Sequence, residues 1–336
     1  RNRYGDDPPE VERRRARRAL LAWPPLVRTL GIGPLLPRAL DPGALRERLG
    51  VLLLDLPRYF WHLFGPGHWT RLRNRNDRLS VASDGRGVVL EDDRWSSDLH
   101  ACRVLPSLGA RAWRTAFDEW PVELAEEGDA ASPDEPEVSF VVPFRGRERL
   151  PQLRAVVRSI LGQSVPVECL VVEQDRETVA SGLADPIRTL HLPHPEGDPG
   201  WRKAWAFNEG ARASSAPILV CHDADIVVPR AYAAEVLRRF RDPETEVAHL
   251  HRFLFCLDRE ATEAVVTSGE LPRRAGPERV RQNWEGGTLA VRRDAFFRIG
   301  GYDERFVGWG GEDNEFYDRC RLLEGPRHGY LPFVHL

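Results

Sequence analysis

Residues 218–228 read Ile-Leu-Val-Cys-His-Asp-Ala-Asp-Ile-Val-Val. The apolar run 218–221 has the length and character of a buried strand, and two aspartates follow where such a strand ends. If extended geometry continues through the next residues, side chains i and i+2 share a side, so Asp223 and Asp225 converge at the strand's C-terminal end. Carboxylate oxygens in that position suit Mg²⁺ or Mn²⁺ bridging a diphosphate. A lone Asp-x-Asp is expected about once by chance in a chain of this length, so its weight comes from the strand before it.

Outward from this stretch the pattern alternates strand and helix. Residues 138–142 (VSFVV) form a buried strand closed by Pro143. Leu150, Leu153, Val157, Ile160 and Leu161 fall on one helical face, with Pro151 in the first turn, where its missing N–H costs little. Residues 167–172 form a second buried strand, and a helix covers residues 203–213. Short strands alternating with helices predict an α/β fold with a parallel sheet, whose ligands sit beyond the strands' C-terminal ends.

Residues 122–137 (VELAEEGDAASPDEPE) are acidic and rich in small residues and proline, which marks a linker between residues 1–121 and 138–336. In the N-terminal part, residues 11–30 begin with Arg13, Arg14, Arg15, Arg17 and Arg18 and continue into Leu20, Leu21 and Trp23. A basic amphipathic helix of this kind can make peripheral contact with an anionic membrane surface; the plainer reading is a solvated face packed on the rest of the protein. Residues 79–82 and 87–91 form a hairpin turning at Asp84-Gly85. No chemistry is legible in residues 1–121, which read as an accessory region.

The bulk composition excludes several classes. Lys+Arg total 48 against 51 Asp+Glu, and this balance gives no reason to expect a nucleic-acid partner. Five scattered cysteines without a Cys-x-x-Cys pair fit a reducing, cytoplasmic setting. No apolar run approaches a membrane span; residues 51–54 are interrupted by Asp55 and Arg58. The arginine, alanine and proline bias points to a high-GC bacterial source. The lack of methionine and the stop at Leu336 suggest an incomplete chain.

Three further motifs carry candidate chemistry. Residues 306–315 (FVGWGGEDNE) surround Trp309 with glycines, leaving a backbone that a ligand can approach closely. Glu312 and Asp313 then open a helix, where acids also serve as N-terminal charges; beside an indole they make a credible acceptor site with one carboxylate as general base. Residues 283–291 (NWEGGTLAV) place Gly286 and Gly287 before a strand. Residues 143–147 (PFRGR) put two arginines after the first strand, suited to grip a diphosphate or to form a surface ion pair.

Taken in order, PFRGR, WRKAWAFNEGA, VCHDADIVVP, EGGTLAVRRDAFFRIGGYDE and GWGGEDNEF resemble the glycosyltransferase A (GT-A) fold, a Rossmann-like mixed sheet flanked by helices. Most similar are the β-1,4-galactosyltransferase family (family 7) and bacterial family 2 chondroitin-polymerase-type enzymes, over residues 138–336. The resemblance implies a metal-dependent, inverting transferase of polysaccharide biosynthesis. A nucleotide-sugar, with UDP as its nucleotide, would donate to a hydroxyl of a glycan or glycoconjugate. It matches Pro143, Phe144, Arg145 and Arg147 to the nucleotide-binding turn, and Glu173 or Asp175 to the region that meets the base or ribose. Asp223 and Asp225 match the metal motif, with Asp225 as direct ligand; Gly286 and Gly287 match the donor-sugar loop. Trp309 corresponds to the aromatic residue beside donor and acceptor, Glu312 to an acceptor-binding carboxylate and Asp313 to the catalytic base. His335 is a candidate further ligand, and its imidazole favours Mn²⁺ over Mg²⁺.

Asn314 departs from the third acidic residue usual in family 7, which favours the family 2 branch and weakens any inference about galactose. Asp313 and Asp225 both argue against the related retaining enzymes, which carry Glu-Asn and a histidine at those motifs. Two rivals stay open: a sugar nucleotidyltransferase, whose glycine-rich first loop PFRGR fits poorly, and a catalytically silent carbohydrate- or nucleotide-binding protein on the same fold.

Overall fold

The computed structural model describes residues 49–90, 96–126, 134–183, 186–194, 200–272, 276–325 and 327–336. The basic stretch at residues 11–30 therefore lies outside the described residues. The strands are β1 (Leu79–Val81), β2 (Val88–Leu90), β3 (Ser97–Asp98), β4 (Val138–Phe144), β5 (Glu168–Asp175), β6 (Arg188–Pro193), β7 (Ile218–His222), β8 (Ile226–Val227), β9 (Val247–Cys256), β10 (Arg279–Gln282), β11 (Thr288–Arg292) and β12 (Arg327–His335). The α-helices are α1 (Leu56–Phe64), α2 (His100–Val104), α3 (Pro106–Glu119), α4 (Leu150–Leu161), α5 (Lys203–Ala213), α6 (Tyr232–Phe240), α7 (Arg259–Ser268), α8 (Arg293–Arg298) and α9 (Glu312–Cys320).

The strands join in the order β1-β2-β12-β9-β11-β7-β4-β5-β6, with β10 paired to β9 and β3, and β8 to β12. The expected parallel core is present: β4 runs parallel to both β5 and β7, and β5 to β6. The sheet as a whole is mixed, because β11 enters antiparallel between β7 and β9. Every residue of β4 is buried. Phe140, Val142 and Phe144 face one layer with residues of α4 and α6, while Val141 faces the other with residues of α5, α8 and α9. Helices thus cover both faces, which is why these strands read as continuous apolar runs.

Helix α4 buries Leu153, Val157 and Ile160 as expected, with Leu150 and Leu161 partly buried at its ends. The predicted hairpin forms: Gly85 N–H donates to the Ala82 carbonyl at 2.9 Å, and Gly85 and Gly87 both take positive φ. Its strand β2 pairs with β12. Tyr59, Trp69 and Trp113 from the N-terminal residues share one core with Phe140, Phe253 and Phe255.

Candidate active site

The strand β7 stops at His222, so extended geometry does not carry through to Asp225. The chain turns instead, Ile226 N–H donating to the Asp223 carbonyl at 3.3 Å, and leaves as β8 against β12. The expected i, i+2 arrangement along a strand is therefore replaced by a turn. Asp223 is anchored by its N–H to the Gly287 carbonyl at 2.8 Å, and the Asp225 carbonyl accepts from Leu336 N–H at 2.9 Å. The two carboxylates consequently face different partners.

Asp223 meets Lys203, which opens α5. The ammonium lies 2.7 Å from Asp223 Oδ1, 2.8 Å from Asp313 Oδ2 and 3.4 Å from Glu312 Oε1. Lys203 and Glu312 are buried, whereas Asp223 and Asp313 each keep 22% of the side chain open. Burial alone would push the lysine's pKa down, but the three carboxylates override it and hold the ammonium charged, well above its ordinary range. Asp223 and Asp313 are both raised, first by burial and then by neighbouring carboxylates, with Lys203 opposing.

Asp225 turns to Arg149, whose guanidinium sits 2.7 Å from Oδ2 and 5.4 Å over the Trp309 ring. His335 Nε2 lies 3.9 Å from the same carboxylate oxygen. Among the described ion pairs, four carboxylates here meet two cations, Lys203 and Arg149. Among the described residues no three His, Cys, Asp or Glu side chains converge at metal-ligand spacing.

Glycines let the loops approach. A Cβ on Gly286 would run into the Asp313 carboxylate, so the 284–287 loop touches the start of α9 only because that residue has none. Gly308, Gly310 and Gly311 take φ of 96°, 90° and 95°, a region closed to most side chains. Their loop hangs from Trp201 through Gly308 N–H to the Trp201 carbonyl at 2.8 Å, and it leaves Trp309 75% exposed.

The remaining candidates divide. Asp175 ends β5 and accepts from Gly146 N–H at 3.3 Å and Arg176 N–H at 2.8 Å, bracing the 143–147 turn. Arg145 is half-buried and Arg147 exposed on that turn, while Pro143 and Phe144 are buried. Glu173 is fully buried, accepting from Thr178 Oγ at 2.5 Å, Val179 N–H at 2.8 Å and Ala180 N–H at 3.1 Å. It builds the turn after β5, which encloses its carboxylate.

Sequence reading missed Lys203, Arg149 and Asn208. Asn208 clamps α5 to the chain after α8, donating to the Tyr302 carbonyl at 2.9 Å and accepting from Tyr302 N–H at 2.8 Å. The signal lay inside two quoted motifs: the lysine and asparagine of WRKAWAFNEGA, and the arginine two residues beyond PFRGR.

Parts of the chain are similar to known glycosyltransferases. Residues 276–326, which hold β10, β11, α8 and α9, match a family model described as the N-terminal domain of galactosyltransferase. Validoxylamine A glucosyltransferase of Streptomyces hygroscopicus subsp. jinggangensis (strain 5008) is 30% identical, over 54% of this chain and 50% of that enzyme. Its counterpart from subsp. limoneus is likewise 30% identical, over 54% and 47%. The chain spans about half the length of these curated relatives. Among solved structures, the mannosyltransferase PcManGT from Pyrobaculum calidifontis, in complex with GDP-Man and Mn²⁺, is 18% identical over 68% of this chain and 64% of that one, with a TM-score of 0.41.

Proposed function

We propose that the chain, with residues 138–336 as its transferase unit, moves a sugar with inversion from a nucleotide-sugar, with UDP as the nucleotide, to an acceptor hydroxyl. The observation that carries this reading is the convergence of Asp223, Glu312 and Asp313 on Lys203 beneath the Gly286-Gly287 loop, with Asp225 and His335 alongside. The family match over residues 276–326 covers the loop and the Glu312-Asp313 pair.

The donor set fits a divalent cation. Asp225 and His335 give one oxygen and one nitrogen ligand 3.9 Å apart, and the surplus of carboxylates over cations among the described ion pairs leaves charge for it to offset. Ions of this type are commonly held by one or two side chains, with substrate phosphates and water completing the shell. When bound, the cation would neutralise charge developing on the departing nucleoside diphosphate.

The chain's own residues supply the rest. Asp313 accepts the acceptor hydroxyl's proton as that oxygen bonds to the anomeric carbon, while the bond to the diphosphate breaks and its electron pair leaves with phosphate. Its raised pKa makes it a better base than an exposed aspartate. Glu312 orients the acceptor, and Lys203 fixes both carboxylates at the head of α9. Trp309, on its glycine-flanked loop, closes over the bound sugars.

Calorimetric titration of UDP with and without Mn²⁺ tests the donor site. Metal-dependent binding lost in Asp225→Ala is the expected result; no binding in either condition sinks the donor assignment. Asp313→Asn should keep UDP binding and lose transfer by about 10²–10⁴-fold. Full transfer by that variant would remove Asp313 as base.

A further inference from the structure

Residues 51–64 form a helical rod with two apolar faces. One face, Val51, Tyr59 and Leu63, is buried against the core beside the shielded Asp55. The other carries Leu52, Leu53, Leu54, Phe60, Trp61 and Phe64, each between 44% and 72% exposed. Phe60 and Phe64 stack at 5.0 Å, and the Arg111 guanidinium sits 5.0 Å over the Phe64 ring. A single exposed leucine needs no explanation, but six large apolar side chains exposed within residues 52–64 mark an interaction surface.

The stretch that carries this row is rich in positive charge, with Glu119 meeting it at His68 and Trp69. Residues 49–78 contain Arg58, Arg71, Arg73, Arg75 and Arg78, against only Asp55 and Asp77. Asp55 is buried and 3.6 Å from Arg75; Asp77 accepts from Asn74 N–H at 2.9 Å and also from Gln282. Arg71, Arg75 and Arg78 are exposed, while Arg58 and Arg73 are half-buried beside the rod. His62, on the same helix, is lowered first by burial and then by Arg71, Arg73 and Arg58, so their field reaches the rod.

We propose that this face docks the protein on an anionic lipid bilayer surface. Phe60, Trp61, Phe64 and the leucines enter the headgroup–acyl boundary, while the arginines bind lipid phosphates. Tryptophan and phenylalanine backed by arginine are the composition that lies in such an interface plane, and the pairing of apolar area with positive charge selects a membrane over a neutral protein groove. Among the described residues no helix is long and apolar enough to cross a membrane, so this contact is peripheral. It does not depend on the transferase reading.

The test is co-sedimentation of the full chain with vesicles of phosphatidylcholine alone or with equimolar phosphatidylglycerol. Binding to the anionic vesicles, weakened by salt, is expected. Arg58→Gln with Arg71→Gln should lower partition by about tenfold or more. Trp61→Ser with Phe64→Ser, both at exposed positions, should do the same with the circular dichroism spectrum unchanged. No binding to either vesicle overturns the proposal. So does binding that both double variants retain in full, which would assign attachment to another segment such as the arginines at 13–18. Concentration-dependent self-association abolished by the aromatic variant would instead make the occupant a second copy, and would also overturn it.

Discussion

Lys203 is the residue on which the site's electrostatics turn. Three carboxylates share its ammonium within 2.7–3.4 Å, and nothing else in the described cluster could neutralise them from that side. Replacing it with methionine keeps the volume and removes the charge, leaving a largely buried acidic cluster unpaired. Breaking a buried ion pair from one side costs about 3–5 kcal/mol; with a fifth of Asp223 and Asp313 open to solvent, the lower end applies. The pH dependence follows from the raised pKa of both aspartates. Between the ordinary carboxylate pKa of the unfolded chain and the raised folded value, the folded chain binds more protons, so acid favours it. The deficit of Lys203→Met should therefore be greatest at neutral pH and shrink as pH falls through that window. Urea midpoints of both proteins in metal-free buffer measure it; a deficit independent of pH would assign the loss to packing.

At the scale of elements, α5 presses its backbone onto the sheet. A Cβ at Gly210 would collide with Val141 and come within 2.9 Å of Val172. Helix propensity alone favours alanine over glycine by about 1 kcal/mol, but overpacking here costs about 1–3 kcal/mol. Gly210→Ala should lower the thermal midpoint by several degrees, and a raised midpoint would show that α5 can slide. The elements themselves were largely legible: β4, β5, β7, α4 and α5 announce themselves by apolar runs and by 3.6-residue spacing. What escaped was set by partners distant in sequence. The antiparallel entry of β11 depends on β7 and β9, and the turn after His222 depends on β12. Lys203 reads as an ordinary first-turn residue until α9 is packed against it. Glu173 shows the converse, since a carboxylate at a strand's end looks ligand-facing until its own turn encloses it.

For the whole molecule, the seam between residues 49–120 and the sheet beyond is buried and hydrogen-bonded. Arg252, 1% exposed on β9, donates to the Thr70 carbonyl at 2.6 Å, to the Leu72 carbonyl, and to Gln282 Oε1 at 3.3 Å. Burial lowers its pKa to about 9. Trp69 packs on Phe253 at 5.8 Å and Trp113 edge-on to Phe255 at 5.6 Å. Tryptophan fluorescence, to which ten tryptophans on both sides of residues 122–137 contribute, and far-ultraviolet circular dichroism should then report one coincident urea transition. Two separated transitions would mean that the acidic segment at 122–137 divides units that melt independently.

The strand Arg327–His335 holds β2 on one side and β9 on the other. On the ribosome it emerges after every other described element, whereas the hairpin that it receives emerges among the first. The early hairpin must therefore wait, its pairing edge unsatisfied, while the residues between Leu90 and Arg327 are made. In a nascent chain this edge is an opening for mispairing, and the emergence of Arg327–His335 is the event that covers it.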